Sequence, residues 1–206
     1  MILMRICELV GRTPSILITT GLISPYMSQT AYIGLGSNIS SPAGPPPEIV
    51  LAAIESLATV GVIAARSSLY RTAPVGYQNQ PAFINAAVAL RTDQDPERLL
   101  KCLLAIERSF GRDRATGVPK GPRTLDLDLL LTNGIIYESP TLTLPHPELP
   151  HRRFVLAPLA EIAPDLVHPV LRRTIRELLA ELPDEGPNRA GAIQILRPTS
   201  PVYHGI

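Results

Sequence analysis

Thr124-Leu125-Asp126-Leu127-Asp128-Leu129-Leu130-Leu131 alternates leucine and aspartate with the two-residue period of a β-strand. Strand side chains point to opposite faces in turn, so Leu125, Leu127, Leu129 and Leu131 should share one side and Asp126 and Asp128 the other. Two residues of strand span about 6.6 Å, which lets both carboxylates meet one divalent cation or bridge two. Without a cation, two like charges on one face repel each other. The alternation alone also fits a half-exposed strand with solvated acids.

The thirteen residues upstream shift that balance. Gly111-Arg112-Asp113-Arg114-Ala115-Thr116-Gly117-Val118-Pro119-Lys120-Gly121-Pro122-Arg123 holds four basic residues against one acid, with three glycines and two prolines. Such a composition makes a shaped or mobile loop rather than a helix. Arginines on a loop beside a di-aspartate strand suit phosphoryl transfer, in which cations hold the phosphates and guanidinium groups neutralise charge. Closure of residues 111–123 over a polyphosphate is the expectation.

Further out, residues 95–111 read as an amphipathic helix. Asp95 is a suitable N-cap, Pro96 suits the first helical position and Gly111 the exit, while Leu99, Leu103, Ile106 and Phe110 recur every three or four residues. A second helical stripe covers 48–58. Residues 31–36, 60–70 and 82–90 read as strands, the last two joined by a loop over 72–81. Asn133-Gly134 reads as a hairpin turn, and 152–162 and 172–182 as later helices. The order β-α-β-β-α-β predicts an α+β fold, a ferredoxin-like βαββαβ sandwich with additional C-terminal helices. Residues 29–183 form this domain, and 184–206 are a tail poor in pattern. In residues 1–28, hydroxyls and glycine interrupt the apolar run, and neither a secretory signal nor an Arg-rich transit peptide is evident. That segment reads as an extension upstream of a true start at Met27, or as a disordered leader.

Composition narrows the function classes. The chain has 206 residues, 45% hydrophobic and 18% charged, which predicts a packed core rather than wholesale disorder. Nineteen Lys and Arg against eighteen Asp and Glu leave a net charge of +1, so no overall electrostatic case exists for nucleic acid or an anionic membrane. No apolar run reaches the length of about eighteen residues that a membrane helix requires. Cys7 and Cys102 are too few for a disulfide framework and lack metal-ligand spacing, so a reducing cytoplasm is expected. Ile33-Gly34-Leu35-Gly36-Ser37-Asn38 is a glycine turn at a strand exit, without the third glycine of a dinucleotide fingerprint or the Gly-Lys-Ser/Thr of a P-loop. Leu144-Pro145-His146-Pro147 and His151-Arg152-Arg153-Phe154 set two histidines near two arginines; a lone histidine is more often structural, but one with an arginine six residues on, as His146 has in Arg152, can grip phosphate oxygens.

Five segments, taken in order, resemble the 6-hydroxymethyl-7,8-dihydropterin pyrophosphokinase family over about residues 29–170. They are Ala31-Tyr32-Ile33-Gly34-Leu35-Gly36-Ser37-Asn38, Tyr70-Arg71-Thr72-Ala73-Pro74-Val75-Gly76, Gln80-Pro81-Ala82-Phe83-Ile84-Asn85-Ala86-Ala87-Val88, Gly121-Pro122-Arg123-Thr124-Leu125-Asp126-Leu127-Asp128-Leu129-Leu130 and Leu144-Pro145-His146-Pro147. The resemblance implies that Asp126 and Asp128 hold two magnesium ions (Mg2+) bridging ATP and the pterin hydroxyl. It assigns Arg112 and Arg123 to the transferring group, with Arg114 nearby, and Glu107, Thr143, His146 and Arg152 to the nucleotide side. Thr72, Val75 and Asn85 would address the pterin edge, and Phe83 and Phe154 would sandwich its ring. For the two phenylalanines, ordinary core packing is the alternative. The chain departs from the family where Pro119 and Lys120 replace a frequent basic residue and an aromatic or Asn, and where Thr141 replaces an arginine. Lys120 can substitute as a phosphate contact, as a point charge and not a fork.

The implied reaction is attack of the pterin hydroxyl on the β-phosphorus of ATP, with AMP leaving and no covalent enzyme intermediate. No protein base for the hydroxyl is evident, so metal coordination would lower its pKa. The resemblance thus implies a magnesium-dependent folate-pathway diphosphokinase, cytoplasmic and monomeric, with small-molecule substrates and neither nucleic acid nor membrane as partner. Two other classes fit parts of the sequence: a noncatalytic nucleotide- or pterin-binding module, and a metal-dependent phosphohydrolase using Asp126 and Asp128.

Overall fold

In chain order the elements are β1 (Gln29–Ser37), α1 (Pro46–Ser56), β2 (Val62–Arg66), β3 (Leu69–Thr72), β4 (Phe83–Thr92), α2 (Pro96–Ser109), β5 (Asp126–Thr132), β6 (Tyr137–Glu138), β7 (Thr143–Leu144), α3 (Arg153–Ile162), α4 (Ile175–Glu181) and β8 (Ile193–Leu196). The computed structural model describes residues 29–114, 121–183 and 193–196. The segment 1–28, residues 115–120 with Pro119 and Lys120, and most of 184–206 lie outside the described residues, and with them the expectations made for those positions, including closure of the 111–123 loop.

The main sheet runs β5-β1-β4-β3-β8, with β2 also paired to β4, and the paired strands are antiparallel throughout. Helices cover both faces, which explains why β4 is buried along nearly its whole length and does not alternate. On one face Ile49, Ala53 and Ile54 of α1 and Leu99 and Leu103 of α2 pack with Ile33, Leu35, Val88 and Leu127. On the other, Leu156 and Leu159 of α3 and Ile175 and Leu178 of α4 pack with Tyr32, Ala87, Ala89 and Leu130. The result is an α+β architecture with a sheet between two helix pairs.

Local signals set α2 as its sequence predicts. The Asp95 carboxylate accepts a hydrogen bond from the Arg98 backbone N–H at 2.9 Å, and Pro96 opens the helix. Gly111 leaves it with φ +83, a left-handed conformation that a side chain would strain. This exit turns the chain toward Arg112 and Arg114. The last helix is fixed by a capping box, in which Thr174 and Glu177 satisfy each other's backbone N–H groups.

Five readings of the sequence need correction. The glycine turn read over Ile33–Asn38 is no turn, since Gly34 and Gly36 lie inside β1 and pair with both β4 and β5. The strand read over 60–70 is two strands, because Ser67 and Ser68 leave the regular ladder. The Ser67 backbone N–H donates to the Ala87 carbonyl while its hydroxyl accepts from the Ala87 N–H. In β5 a register shift between Tyr32 and Ile33 leaves Leu130 without an opposite residue, so Leu131 joins Leu130 on the α3/α4 face and does not follow Leu125, Leu127 and Leu129. Asn133-Gly134 forms its turn, but the chain beyond pairs β6 with β7 and makes no hairpin with β5. The segment read as patternless after Pro183 contributes β8, which pairs with β3 from Leu69↔Leu196 to Thr72↔Ile193.

Leu103 is fully buried between α2 and the sheet. Leu103→Ala should lower the unfolding free energy by about 2–5 kcal/mol, read from urea denaturation with an unchanged slope; a loss below about 1 kcal/mol would show that α2 is not held by this contact.

Candidate functional site

The ladder between β1 and β5 sets Gly34 opposite Asp128 and Gly36 opposite Asp126. Opposed residues share a face, so two carboxylates stand beside two positions with no side chain. A Cβ on Gly34 would lie 3.4 Å from the Leu130 side chain, and one on Gly36 would lie 3.2 Å from Asn85 Oδ1. The bare floor opens into a cavity of about 420 Å³ on the α3 side of the sheet. Its lining includes Thr72, Val75, Phe83, Asn85, Arg112, Arg114, Arg123, Asp126, Asp128, His146, Arg152 and Phe154, twelve positions that the sequence singled out.

Positive charge converges on one carboxylate. Asp126 lies 3.1 Å from Arg123, 3.6 Å from Arg114 and 3.7 Å from Arg112. Arg114 is itself held by two hydrogen bonds to Glu107, at 2.8 and 2.7 Å. Glu107 is buried, and its Oε1 also accepts from the Leu127 backbone N–H at 2.8 Å, between the two aspartates in sequence. Arg123 stacks 5.0 Å from the Phe83 ring centre, and its backbone N–H donates to Asn38 Oδ1 at 2.8 Å. Asn38 in turn donates to Gln80 Oε1 at 3.0 Å and to the Pro81 carbonyl at 3.1 Å, tying the loop after β3 to the Arg123 segment. Burial pushes the Asp128 carboxyl up to about 6, and the negative charge of Asp126 adds to that rise.

The rim carries the remaining residues. The His146 backbone N–H donates to the Leu130 carbonyl at 2.7 Å, which fixes the histidine against β5. Its Nδ1 accepts from the Glu148 backbone N–H at 3.2 Å. Burial, followed by the nearby Arg152 charge, lowers the His146 pKa, so the ring is neutral near pH 7 with its proton on Nε2. Arg152 pairs with Glu148 at 3.2 Å and lies 5.8 Å from the Phe154 ring centre. Across the cavity, Asn85 Nδ2 donates to Thr72 Oγ1 at 2.7 Å.

Two of the expected site residues do not line the cavity. Glu107 stands behind it, with both carboxylate oxygens engaged by Arg114 and Leu127. Thr143 is exposed on β7, and Thr141, at the place of the family arginine, hydrogen-bonds Glu97 at 2.9 Å. Lys120 lies outside the described residues. The sequence reading did not assign site roles to Gly34, Gly36, Asn38, Glu148 and His151. A Gly-x-Gly spacing matched to an Asp-x-Asp spacing would have pointed to the glycines, provided that the pairing of the two strands was known.

Known proteins of similar sequence and fold point to one family. The family model described as 7,8-dihydro-6-hydroxymethylpterin-pyrophosphokinase (HPPK) matches residues 32–164. A 2-amino-4-hydroxy-6-hydroxymethyldihydropteridine pyrophosphokinase from Methylorubrum extorquens is 45% identical over 161 residues, covering 77% of this chain and 97% of that protein. Folic acid synthesis protein fol1 from Schizosaccharomyces pombe is 38% identical over 161 residues, 77% of this chain but 21% of that longer protein. The crystal structure of wild-type Plasmodium falciparum HPPK-DHPS with pterin and p-hydroxybenzoate shares the fold at a TM-score of 0.60 and 18% identity, covering 82% of this chain and 46% of that one. The chain belongs to the 7,8-dihydro-6-hydroxymethylpterin-pyrophosphokinase family, whose reaction moves diphosphate from ATP to hydroxymethyldihydropterin in folate biosynthesis.

Proposed function

We propose that this chain performs the family's diphosphate transfer in the cavity above Gly34 and Gly36, with Asp126 and Asp128 as ligands of two magnesium ions. The convergence of three guanidinium groups on Asp126, beside a second carboxylate on a bare sheet floor, carries this reading. The described residues hold no group of three or more His, Cys, Asp or Glu side chains able to cage a metal. Two carboxylates with open space beside them suit magnesium, which takes few protein oxygens and completes its shell with phosphates and water. Bound there, the metal would screen the phosphates and lower the pKa of the pterin hydroxyl.

The remaining work falls to side chains. Arg112 and Arg123 each have a buried Nε without a hydrogen-bond partner, donors that phosphate oxygens of the transferring group can satisfy. His146 and Arg152 grip the nucleotide phosphates, the first as a neutral Nε2–H donor and the second as a fixed charge. Phe83 and Phe154 form a slot for the flat pterin ring, while Asn85 and Thr72 read its edge. Glu107 acts from behind by aiming Arg114. Acceleration then comes from positioning and from charge stabilisation in a sheltered site.

The ferredoxin-like description of the frame is supported by the antiparallel order β5-β1-β4-β3 with α1 and α2 on one face. A cytoplasmic setting is supported by the cysteine usage.

AMP release measured with and without hydroxymethyldihydropterin tests the reading. Pterin-dependent AMP is the expected result; nucleotide hydrolysis without pterin would indicate a phosphohydrolase, and no turnover a binding module. Asp126→Ala and Asp128→Ala should each cut turnover at least about a hundredfold while leaving the circular dichroism spectrum intact.

The raised Asp128 pKa also gives a pH dependence. The folded protein holds the Asp128 proton more tightly than the unfolded chain, so between about pH 4 and 6 the native state binds more protons at this group, and its contribution to stability falls as pH rises through that window. In thermal melts of ligand-free protein, stability should change less favourably with rising pH across this window in the wild type than in Asp128→Asn, since Glu97 and Glu177, whose pKa values are lowered, contribute with the opposite sign in both proteins. Identical slopes would mean that Asp128 is not the strained carboxyl.

A further inference from the structure

Glu161, in the last turn of α3, accepts four hydrogen bonds, three from Ser68 in the break between β2 and β3 and one from Tyr70 in β3. The Ser68 backbone N–H reaches both carboxylate oxygens at 3.0 Å, the Ser68 hydroxyl reaches Oε1 at 2.8 Å and the Tyr70 hydroxyl reaches Oε2 at 2.8 Å. Tyr70 is buried, and burial followed by the Glu161 carboxylate raises its pKa, so it stays a neutral donor. None of these groups lines the cavity.

Their placement nonetheless bears on it. Phe154 precedes Glu161 by seven residues, two helical turns, so both lie on one side of α3. Thr72 follows Tyr70 by two residues and shares its side of β3. Thr72 is paired with Phe83 across the β3–β4 ladder, so the strand that Glu161 grips is hydrogen-bonded to the strand that carries one wall of the aromatic slot. Pro158, inside α3, has no N–H to donate to the carbonyl four residues before it, that of Phe154. The pose of the first turn of α3 therefore depends on anchors outside the helix's own ladder.

We infer that Glu161, Ser68 and Tyr70 form a positioning cluster that sets the separation between Phe154 on α3 and Phe83 and Thr72 on the sheet, and through it the affinity for a flat heteroaromatic ring. The inference rests on the reading of that slot given above. Hydrogen bonds to a charged carboxylate are strong enough to hold such a distance, and removing one partner leaves the other poorly satisfied.

The test is a fluorescence titration of oxidised 6-hydroxymethylpterin into the whole chain with magnesium and an unreactive ATP analogue. Tyr70→Phe and Glu161→Gln should each weaken pterin binding about tenfold and leave the nucleotide dissociation constant within about twofold. The double variant should be little worse than the more affected single one, since the two residues act as one unit. Lower melting temperatures with unchanged pterin affinity would reduce the cluster to a stability element and overturn the inference. Phe154→Ala separates the two layers. If it weakens pterin binding while Tyr70→Phe and Glu161→Gln do not, the slot stands and the cluster falls. If Phe154→Ala binds pterin normally, the slot fails and the inference fails with it.

Discussion

Two carboxylates two residues apart on one face of a strand cannot be left uncompensated in a sheltered site, and much of this molecule is arranged around that constraint. Asp126 is met by Arg112, Arg114 and Arg123, each delivered from a different point of the chain between α2 and β5. Those arginines need anchors in turn. Glu107 holds Arg114 from within α2, and Asn38 at the end of β1 holds the backbone of Arg123. The α2 exit through Gly111 aims the chain at the site. Burial of Asp128 leaves part of the repulsion in place, a reserve that a cation would relieve.

The sheet supplies rigidity where this arrangement needs it. β1 is hydrogen-bonded on both edges, and its two glycines let a ligand approach the backbone while neighbouring Ile33 and Leu35 point into the opposite core. One strand thereby serves as the floor of the site and the centre of the core. The glycines weaken the strand's own propensity, and pairing on both sides with packing by α1 and α2 offsets that loss.

Much of the site was legible because its signals are local. The Asp126/Asp128 alternation, the Asp95 cap and the Gly111 exit each depend on a few neighbouring residues, and each takes the form its sequence predicts. The parts that escaped depend on partners distant in sequence. Leu131 changes face because a register shift against β1 makes Leu130 a bulge, and nothing within Leu129-Leu130-Leu131 signals it. β8 is four residues long and exists as a strand through its pairing with β3. The break at Ser67 and Ser68 is stitched by groups from β4 and α3, the latter ninety-three positions away from Ser68. Glu107 looks like any acid on an amphipathic helix until Arg114 and the Leu127 N–H are seen to share it.

The central claim is that Asp126 and Asp128 are cation ligands whose arginine neighbours serve the phosphates. Electron paramagnetic resonance of free Mn2+, used as the probe for magnesium, addresses it directly. With an unreactive ATP analogue present, wild-type protein should deplete free Mn2+ beyond what the analogue takes up by itself, while folded Asp126→Asn and Asp128→Asn variants should not. Equal depletion by all three proteins would contradict the account.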